Sequence, residues 1–535
     1  MRIRIEPTGV CASLQAWARD RRGATAVAFA IGFAVLAPVS LGVFDIYNST
    51  QQRGKLQDAL DAATLYAARS PAITDAEIDA VGDKAMVANL KLIGGATLLG
   101  SSFTIVGQKV VSSASVNLPA FAPTLFVHAP VNVGSEVQRA MDKLEIALVL
   151  DNTGSMAGTK LSTLKTESKK LIDKLTAAAA RSSDPDALKI ALVPFSNTVR
   201  VQATTVISGS AYDDVLHSGA SIPTWIDPEA KNRWSAGRKD IFDGFYTDRF
   251  TMMRRVGQPW NGCVEIRVQP YDVQEDAPSS DKDTRFVPYF WPDEPSTTPY
   301  VSSFNNYKSD GALPGGMPPS WANYQKVAAK YKGGNINSGT FSSSGMTYQK
   351  GPNAGCTLQP VIRLTRNAAS VKTSIDNMNA IGETVIPLGL MWGWHALTPN
   401  APFADGTPYG TPHTRKIVIL MTDGENTNFD SGDANDSHYG GLGFAWQRLG
   451  ALIETMTDTQ RTAAIDGRLS VLCTNMKAKR IEIYTIRVEV TGGTSTLLQN
   501  CASAPDKFFD VQNVATLGVA FDAIAGAITN LRISH

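Results

Sequence analysis

The chain has 535 residues, 43% of which are hydrophobic, and its 50 Lys and Arg nearly balance its 49 Asp and Glu. This length is enough for two or more domains, and a formal net charge of +1 leaves no basic face for nucleic acid. Composition therefore predicts a globular protein that has no nucleic-acid partner.

The first predicted element is a membrane-spanning helix at residues 23–44. This stretch carries no charged residue, and it is long enough to cross the hydrocarbon core even with Pro38 inside it. Arg21 and Arg22 precede it, so the positive-inside rule places residues 1–22 in the cytoplasm and the bulk of the chain beyond the inner membrane. A cleaved signal peptide is the alternative, but the stretch is long for one and no clear small-x-small cleavage site follows it.

An amphipathic helix and a small spacer domain are predicted next. In residues 45–72, apolar side chains recur at three- to four-residue steps, and Pro71 should end the helix. Residues 73–142 combine a helical piece, 75–93, with two alternating runs that are typical of strands, 102–106 and 110–118. The apolar positions of the amphipathic helix are Leu56, Leu60, Ala63 and Ala67.

A Rossmann-like α/β domain is predicted for residues 143–535. Its strands are expected at 144–150, 189–193, 416–421 and 481–488, and its helices at 160–178, 386–397 and 514–531. Residues 198–358 are rich in Gly, Pro, Ser and aromatic residues and far exceed an ordinary loop. We interpret them as a β-rich insertion that interrupts this domain.

Three polar segments of this domain lie at the ends of apolar runs. The segment 151–155 follows the first strand, Thr384 precedes a predicted helix, and Asp423 follows a later strand. In an open α/β sheet, ligands gather beyond the carboxyl ends of the strands, where the topology changes direction. We therefore expect all three segments to meet in one crevice.

The chemistry of these segments predicts a metal site. Two carboxylates and three hydroxyls provide only hard oxygen ligands, which suit Mg²⁺ or Mn²⁺ rather than zinc or copper. Because few charged groups of the protein would surround the ion, the ion would remain electrophilic. One coordination position can therefore accept a carboxylate from a partner protein. The predicted ligands are Asp151, Thr153, Ser155, Thr384 and Asp423.

These segments resemble the metal-ion-dependent adhesion site of von Willebrand factor A-type domains, which has Asp-x-Ser-x-Ser, Thr and Asp elements. Thr153 stands where that family usually has Ser. The substitution keeps the hydroxyl and adds a methyl group. The resemblance implies metal-dependent protein binding.

The two ends of the chain and its insertion resemble the TadG-like proteins of Tad (Flp) pilus assembly. The motif Arg21-Arg22-Gly23 opens a pilin-like N-terminus, although Ala28 replaces the Glu usual in that motif, which favours a static anchor over a processed pseudopilin. Stretches similar to TadG begin at Gly262, Val287, Gly355, Trp392 and Cys501. The resemblance implies a periplasm-facing component of pilus assembly or anchoring that binds pilus proteins. A surface adhesin that binds host or matrix protein through the same site is the alternative.

The cysteines are consistent with an oxidising compartment. Of the five, Cys11 precedes the membrane segment and four follow it, and four cysteines allow three connectivities. We predict the bonds Cys473–Cys501, which bracket a helix and a strand, and Cys263–Cys356, which lie within the insertion. Four buried thiols are the alternative.

No catalytic motif is visible in the chain. Neither His-Glu-x-x-His nor Gly-x-Ser-x-Gly occurs, and residues 154–160 lack the residue order of a phosphate-binding loop. We therefore predict that the protein is not an enzyme. An active site within the insertion is a weaker third alternative.

Overall fold

The computed structural model describes residues 24–70, 72, 74–91, 93–106, 109–118, 129–138, 143–180, 182, 184–201, 223–230, 248–294, 296–297, 300–301, 304–308, 328–331, 336–343, 345–429, 431, 435, 437–490 and 496–529. The chain divides into two compact units. Residues 1–140 with 531–535 form the first unit, and residues 141–530 form the second.

The first unit is built on one long helix, α1, which spans Ala24–Arg69 without interruption at Pro38. The predicted membrane segment and amphipathic helix are thus continuous, and Gly23 lies outside the described residues. Ala26–Arg69 is long and apolar enough to cross a membrane, with a mean hydropathy of 2.3 over its most apolar window. By length and composition, this helix can be an anchor or a signal sequence.

The second half of α1 packs on a small α+β layer. All four apolar residues predicted for its buried face are buried, and they contact helix α2 (Asp75–Leu90) and a three-stranded antiparallel sheet. A capping box at Thr74 begins α2, because Thr74 and Glu77 satisfy each other's backbone N–H groups. The strands are β1 (Thr97–Val106), β2 (Lys109–Asn117) and β3 (Val131–Gln138).

The second unit contains a six-stranded sheet formed by β4 (Lys143–Asp151), β5 (Leu188–Phe195), β12 (Ile362–Thr365), β13 (Thr414–Thr422), β14 (Glu482–Val488) and β15 (Phe508–Val511). Its strands lie in the order β12-β5-β4-β13-β14-β15. All neighbours are parallel except the edge strand β12, which runs antiparallel to β5. The predicted Rossmann-like α/β class is therefore confirmed, with a mixed and mostly parallel sheet.

Helices cover both faces of this sheet. On one face lie α3 (Thr159–Ala179), α5 (Ala368–Asp376) and α9 (Leu517–Thr529); on the other lie α6 (Ile386–Leu397) and α7 (Asp458–Ala478). The short helix α8 spans Thr496–Cys501. Every residue of α6, including Trp392 and Trp394, is buried, so these tryptophans belong to the core.

The insertion leaves the sheet after β5 and returns to it at β12. Because Ile362 at the start of β12 pairs with Leu192 near the end of β5, the insertion begins and ends at the same edge and the same end of the sheet. Its described regular elements are short: α4 (Arg249–Arg255), β6 (Val264–Glu265), β7 (Val287–Pro288), β8 (Ser296–Thr297), β9 (Tyr300–Val301), β10 (Thr340–Ser343) and β11 (Met346–Gln349).

Single 3-10 turns also occur in the described part of the second unit. They lie at Gly154–Met156, Tyr271–Val273, Lys282–Thr284, Ala328–Tyr331, Ala445–Gln447, Leu449–Ala451, Pro505–Lys507 and Val514–Thr516.

Both predicted disulfides form in the structure. Cys263–Cys356 lies at the neck of the insertion, which we define as the region where its first residues, near Arg200, and its last residues, near Cys356, meet the sheet. Arg200 forms an isolated antiparallel β-bridge with Cys263 there. Cys473–Cys501 joins α7 to α8. Cys11 lies outside the described residues.

Candidate metal-binding site

The site lies where the order of strands in the sheet reverses. Strand β4 continues along the chain to β5 on one side, while its other neighbour is the much later β13. Leu150 pairs with Met421, so Asp151 and Thr422, one residue further on, end two adjacent parallel strands. A crevice opens at such a point in an open α/β sheet.

Asp151 is the buried centre of this crevice. Its side chain has no exposed surface, Oδ1 accepts the Thr153 N–H at 2.8 Å, and Oδ2 accepts the Thr422 hydroxyl at 2.6 Å. Burial and then the charge of Asp423 raise the pKa of Asp151 to about 6, while its hydrogen bonds act in the opposite sense. Two carboxylates therefore share a poorly solvated space.

A chain of hydrogen bonds connects the first segment to Asp423. The hydroxyls of Thr153 and Ser155 lie 2.9 Å apart, and Ser155 donates to Asp423 Oδ1 at 2.7 Å. Asp423 Oδ2 accepts from the Lys160 ammonium at 2.6 Å. Both oxygens of Asp423 are thus engaged, one from the β4–α3 connection and the other from the first turn of α3.

Thr384 lies in the loop that precedes α6. Hydrogen bonds connect this loop to the segments that follow β4 and β13. The Gly154 N–H donates to Gly382 O at 3.0 Å, and Thr384 and Thr427 exchange hydrogen bonds: the Thr427 N–H donates to Thr384 O, and the Thr384 N–H donates to the Thr427 hydroxyl. Thr384 Oγ1 lies 3.3 Å from where a Cβ on Gly424 would stand. The loop that carries Thr384 therefore approaches the residue next to Asp423.

The close approach of these loops requires glycine at 382. Gly382 has a φ of +85°, and a Cβ there would lie 2.4 Å from Asn197 Oδ1. A side chain at this position would strain the backbone and move the Thr384 loop away from the end of β5.

The insertion contributes to the wall of the site. The Sδ atom of Met346, at the start of β11, accepts the Gly382 N–H at 3.0 Å and lies against Gly154. Beside it, His438 Nδ1 lies 2.7 Å from Glu383 Oε1, and the other ring nitrogen lies 3.0 Å from Ser343 Oγ of β10. The β10–β11 hairpin thus packs on the loops that carry the predicted ligands.

The donors suit a hard divalent cation. The structure brings Asp151, Thr153, Ser155 and Asp423 into one hydrogen-bonded cluster and sets Thr384 in the adjoining loop. Among the described residues, no group of three or more His, Cys, Asp or Glu side chains could hold a metal, so an ion here would depend on the hydroxyls. A cation would also relieve the repulsion between the two carboxylates, which adds to the effect of burial in raising the pKa of Asp151.

The contacts that three neighbours make with the site were not predicted from the sequence. Thr422, which donates to Asp151, is the last residue of its strand, and its position beside Asp423 was the available signal. Lys160 begins the helix predicted at 160–178, and no sequence pattern indicates its contact with Asp423. Met346 comes from the insertion, and no local pattern indicates that it reaches Gly154.

The comparisons with known proteins agree with this fold. The family model of the von Willebrand factor type A domain matches residues 145–218, which begin in β4 and extend beyond β5. The chain therefore contains a von Willebrand factor type A domain. The search of curated proteins found no match to the chain.

Several solved structures have distant similarity to the chain. The vWF domain of the type V pili tip protein Mfa5 from Porphyromonas gingivalis is 12% identical, with a TM-score of 0.32 over 74% of this chain and 99% of that one. The adhesive tip pilin GBS104 from Group B Streptococcus agalactiae is 10% identical, with a TM-score of 0.31 over 72% and 99%. The pilus adhesin RrgA from Streptococcus pneumoniae is 10% identical, with a TM-score of 0.32 over 80% of this chain and 49% of that one.

Proposed function

We propose that this protein is an inner-membrane-anchored, periplasm-facing component of Tad (Flp) pilus assembly or anchoring, which binds a partner protein through a divalent metal ion. The observation that carries the proposal is the convergence of Asp151, Ser155 and Asp423 in one hydrogen-bonded cluster at the switch point of the sheet. Thr384 lies in the adjoining loop.

The proposed ligands are Asp151, Thr153, Ser155, Thr384 and Asp423, and Mg²⁺ or Mn²⁺ is the proposed ion. When bound, the ion supplies an open coordination position that an Asp or Glu of the partner can fill. The protein residues hold the oxygens in place: Thr422 orients the Asp151 carboxylate, and Ser155 orients Asp423.

We propose binding rather than catalysis for this site. Its donors are carboxylates and hydroxyls at strand ends, and the hydroxyls of Thr153 and Ser155 bond to each other and to Asp423 rather than to a histidine base. Partner engagement would favour the loop arrangement in which the Thr384 and Asp423 segments approach each other.

Two features support the anchoring and pilus parts of the proposal. The first half of α1 presents exposed apolar side chains, among them Phe29, Ile31 and Phe33, as expected for a helix whose surroundings are lipid. The second feature is the pilin-like motif at Arg21–Gly23, which supports the pilus part through its sequence resemblance. This motif lies outside the described residues.

The first experiment is a calorimetric titration of the full chain, purified in detergent, with Mg²⁺ and Mn²⁺. We expect saturable binding in the wild type and no binding in a folded Asp151→Ala, Asp423→Ala double variant. Asp376→Ala is the control, because this acid pairs with Lys169 on the surface and is not one of the proposed ligands. Equal binding by the wild type and the double variant would overturn the site.

The partner is tested by cross-linking in cells. We expect the wild type to capture pilus or pilus-assembly proteins, and the double variant to lose both capture and piliation. Unchanged piliation in a double variant that binds no metal would show that the site does not serve pilus assembly.

Protease treatment distinguishes this role from that of a surface adhesin. We expect the second unit to be protected in intact cells and cleaved once the outer membrane is opened. Cleavage in intact cells would instead favour a surface-exposed adhesin that binds host or matrix protein through the same site.

A further inference from the structure

Lys160 contacts the proposed metal site from the first turn of α3. Its ammonium lies 2.6 Å from Asp423 Oδ2, and 24% of the Lys160 side chain is exposed whereas that of Asp423 is fully buried. Because α3 begins at Thr159, the helix holds the base of Lys160 beside the segment that contains Ser155. The ion pair is thus part of the same cluster as the proposed ligands.

The position of this ammonium is that of a counter-ion. Asp423 Oδ1 is taken by the Ser155 hydroxyl, so Lys160 provides the only full positive charge that the described contacts bring to the two carboxylates. The buried Asp423 is thereby compensated without a metal. Breaking a pair of this kind leaves a buried charge uncompensated, which is strongly unfavourable.

A divalent ion would meet the same carboxylate that Lys160 now neutralises. Two cations near one carboxylate repel each other, and the repulsion is strong where water is scarce. An ammonium on a flexible four-carbon stem can withdraw into water, and the exposed part of Lys160 gives it that route. The site therefore has its own cation that can be exchanged for a metal.

We infer that Lys160 competes with the divalent ion for Asp423 and thereby sets the metal affinity of the site. This inference rests on the proposed metal site and adds a residue that lowers its affinity. The lysine stabilises the metal-free protein, and its ammonium leaves Asp423 when the ion enters.

The test compares Lys160→Met, a neutral side chain of similar length, with Lys160→Arg, which keeps the charge. In the detergent-purified full chain, we expect Lys160→Met to bind Mn²⁺ roughly tenfold more tightly than the wild type, equivalent to about 1.4 kcal/mol. Lys160→Arg should remain close to the wild type. Lys169→Met is the matched control, because Lys169 also lies on α3 and pairs with a surface acid, Asp376.

Thermal unfolding gives a second readout. The increase in unfolding temperature that Mn²⁺ produces distinguishes a lysine that competes with the ion from a merely structural one. In EDTA, we expect Lys160→Met to unfold at a lower temperature than the wild type, because Asp423 has lost its counter-ion. Saturating Mn²⁺ should raise the unfolding temperature of this variant by more than it raises that of the wild type. A Lys160→Gln variant provides the same comparison if Lys160→Met does not fold.

The outcomes separate this inference from the proposed function. Equal or weaker Mn²⁺ affinity in folded Lys160→Met and Lys160→Gln, with normal binding by the wild type, would overturn the role of Lys160 and leave the metal site intact. Absence of binding by the wild type and all variants would overturn both. Binding by the neutral variants alone would support the competition and show that Lys160 keeps the wild-type site closed to Mn²⁺.

Discussion

At the scale of single residues, the two carboxylates of the site lie at the end of one buried strand and one position beyond the end of another. Asp151 and Asp423 come from strands that are adjacent in the sheet but far apart in the chain. Periodicity locates the ends of such strands, so the sequence alone was enough to predict that these residues meet in one crevice. The neighbours that adjust their charge follow no such rule.

Lys160 illustrates what the sequence could not reveal. A lysine in the first turn of a helix is commonly solvent-exposed, and whether it turns back to a buried acid depends on the side-chain geometry of the fold. The structure shows that it does so. Met346 is a similar case, since its contact with Gly382 joins segments that no local pattern relates.

The raised pKa of Asp151 predicts a pH dependence of metal binding. Because a proton must leave this carboxylate before it can ligate an ion, we expect the apparent Mn²⁺ affinity to fall roughly tenfold per pH unit below about 6. Calorimetry between pH 5 and 8 measures this fall. An affinity that remains constant down to pH 5 would contradict it.

The raised pKa of Asp151 affects the stability of the metal-free protein in the opposite direction: metal affinity decreases at low pH, whereas stability increases. The folded pKa of about 6 exceeds the ordinary value of 3.8, so the protonated carboxyl stabilises the fold below about pH 4, and this stabilisation is lost as the pH rises through 6. In EDTA, the unfolding temperature of the wild type relative to Asp151→Asn should therefore decrease between pH 4 and 7. A difference that does not change with pH would contradict the assignment.

At the scale of elements, period and length were sufficient to predict most of the fold. The helix predicted at 386–397 has those bounds in the structure, and the strand predicted at 144–150 extends by one residue at each end. Predicted apolar positions of α1 are buried in the first unit. The predicted closing helix differs slightly, because it opens with a 3-10 turn at Val514–Thr516 before α9.

Helix α6 is expected to position Thr384, because it begins two residues after it and packs tightly on the sheet. A Cβ on Gly389 would lie 2.3 Å from Phe195 Cγ, so Gly389→Ala must displace the helix or the end of β5. We expect a loss of roughly 1–3 kcal/mol in the free energy of unfolding, together with weaker Mn²⁺ binding. Chemical denaturation and calorimetry measure the two effects.

Gly467→Ala in α7 is the control for this prediction. The added Cβ meets no atom within 4 Å, and alanine is a better helix former than glycine by about 1 kcal/mol. The same substitution should therefore stabilise the protein here and leave metal binding unchanged. Similar effects of both substitutions would show that helix propensity, and not packing against Phe195, determines the result at Gly389.

At the scale of the whole molecule, the chain combines a unit built on α1 with a second unit whose sheet is interrupted by a long insertion. Composition and length predicted that the insertion exists, because residues 198–358 lack the periodicity of the surrounding domain. Its contacts depend on long-range packing of short elements and aromatic side chains, for which a single sequence carries little signal.

The disulfide at the neck of the insertion predicts a difference in stability. Cys263–Cys356 closes a longer loop than Cys473–Cys501, with sequence separations of 93 and 28 residues. In the chain-entropy model, replacing the first pair with Ser should cost about 1 kcal/mol more than replacing the second. Thermal unfolding of the two double variants tests this, and a larger loss from the Cys473–Cys501 replacement would contradict it.

The contact of Met346 with Gly154 and Gly382 has a consequence for how this domain can diversify. The proposed ion-holding residues lie at one end of the sheet, in the loops that connect its strands and helices, whereas the hairpin beside them belongs to the insertion and carries exposed side chains such as Ser342 and Thr347. In the proposed function, the ion-holding residues and the surface beside them thus come from separate parts of the chain. Exchange of the hairpin would then alter the surface beside the site while the same five proposed oxygen donors remain in place.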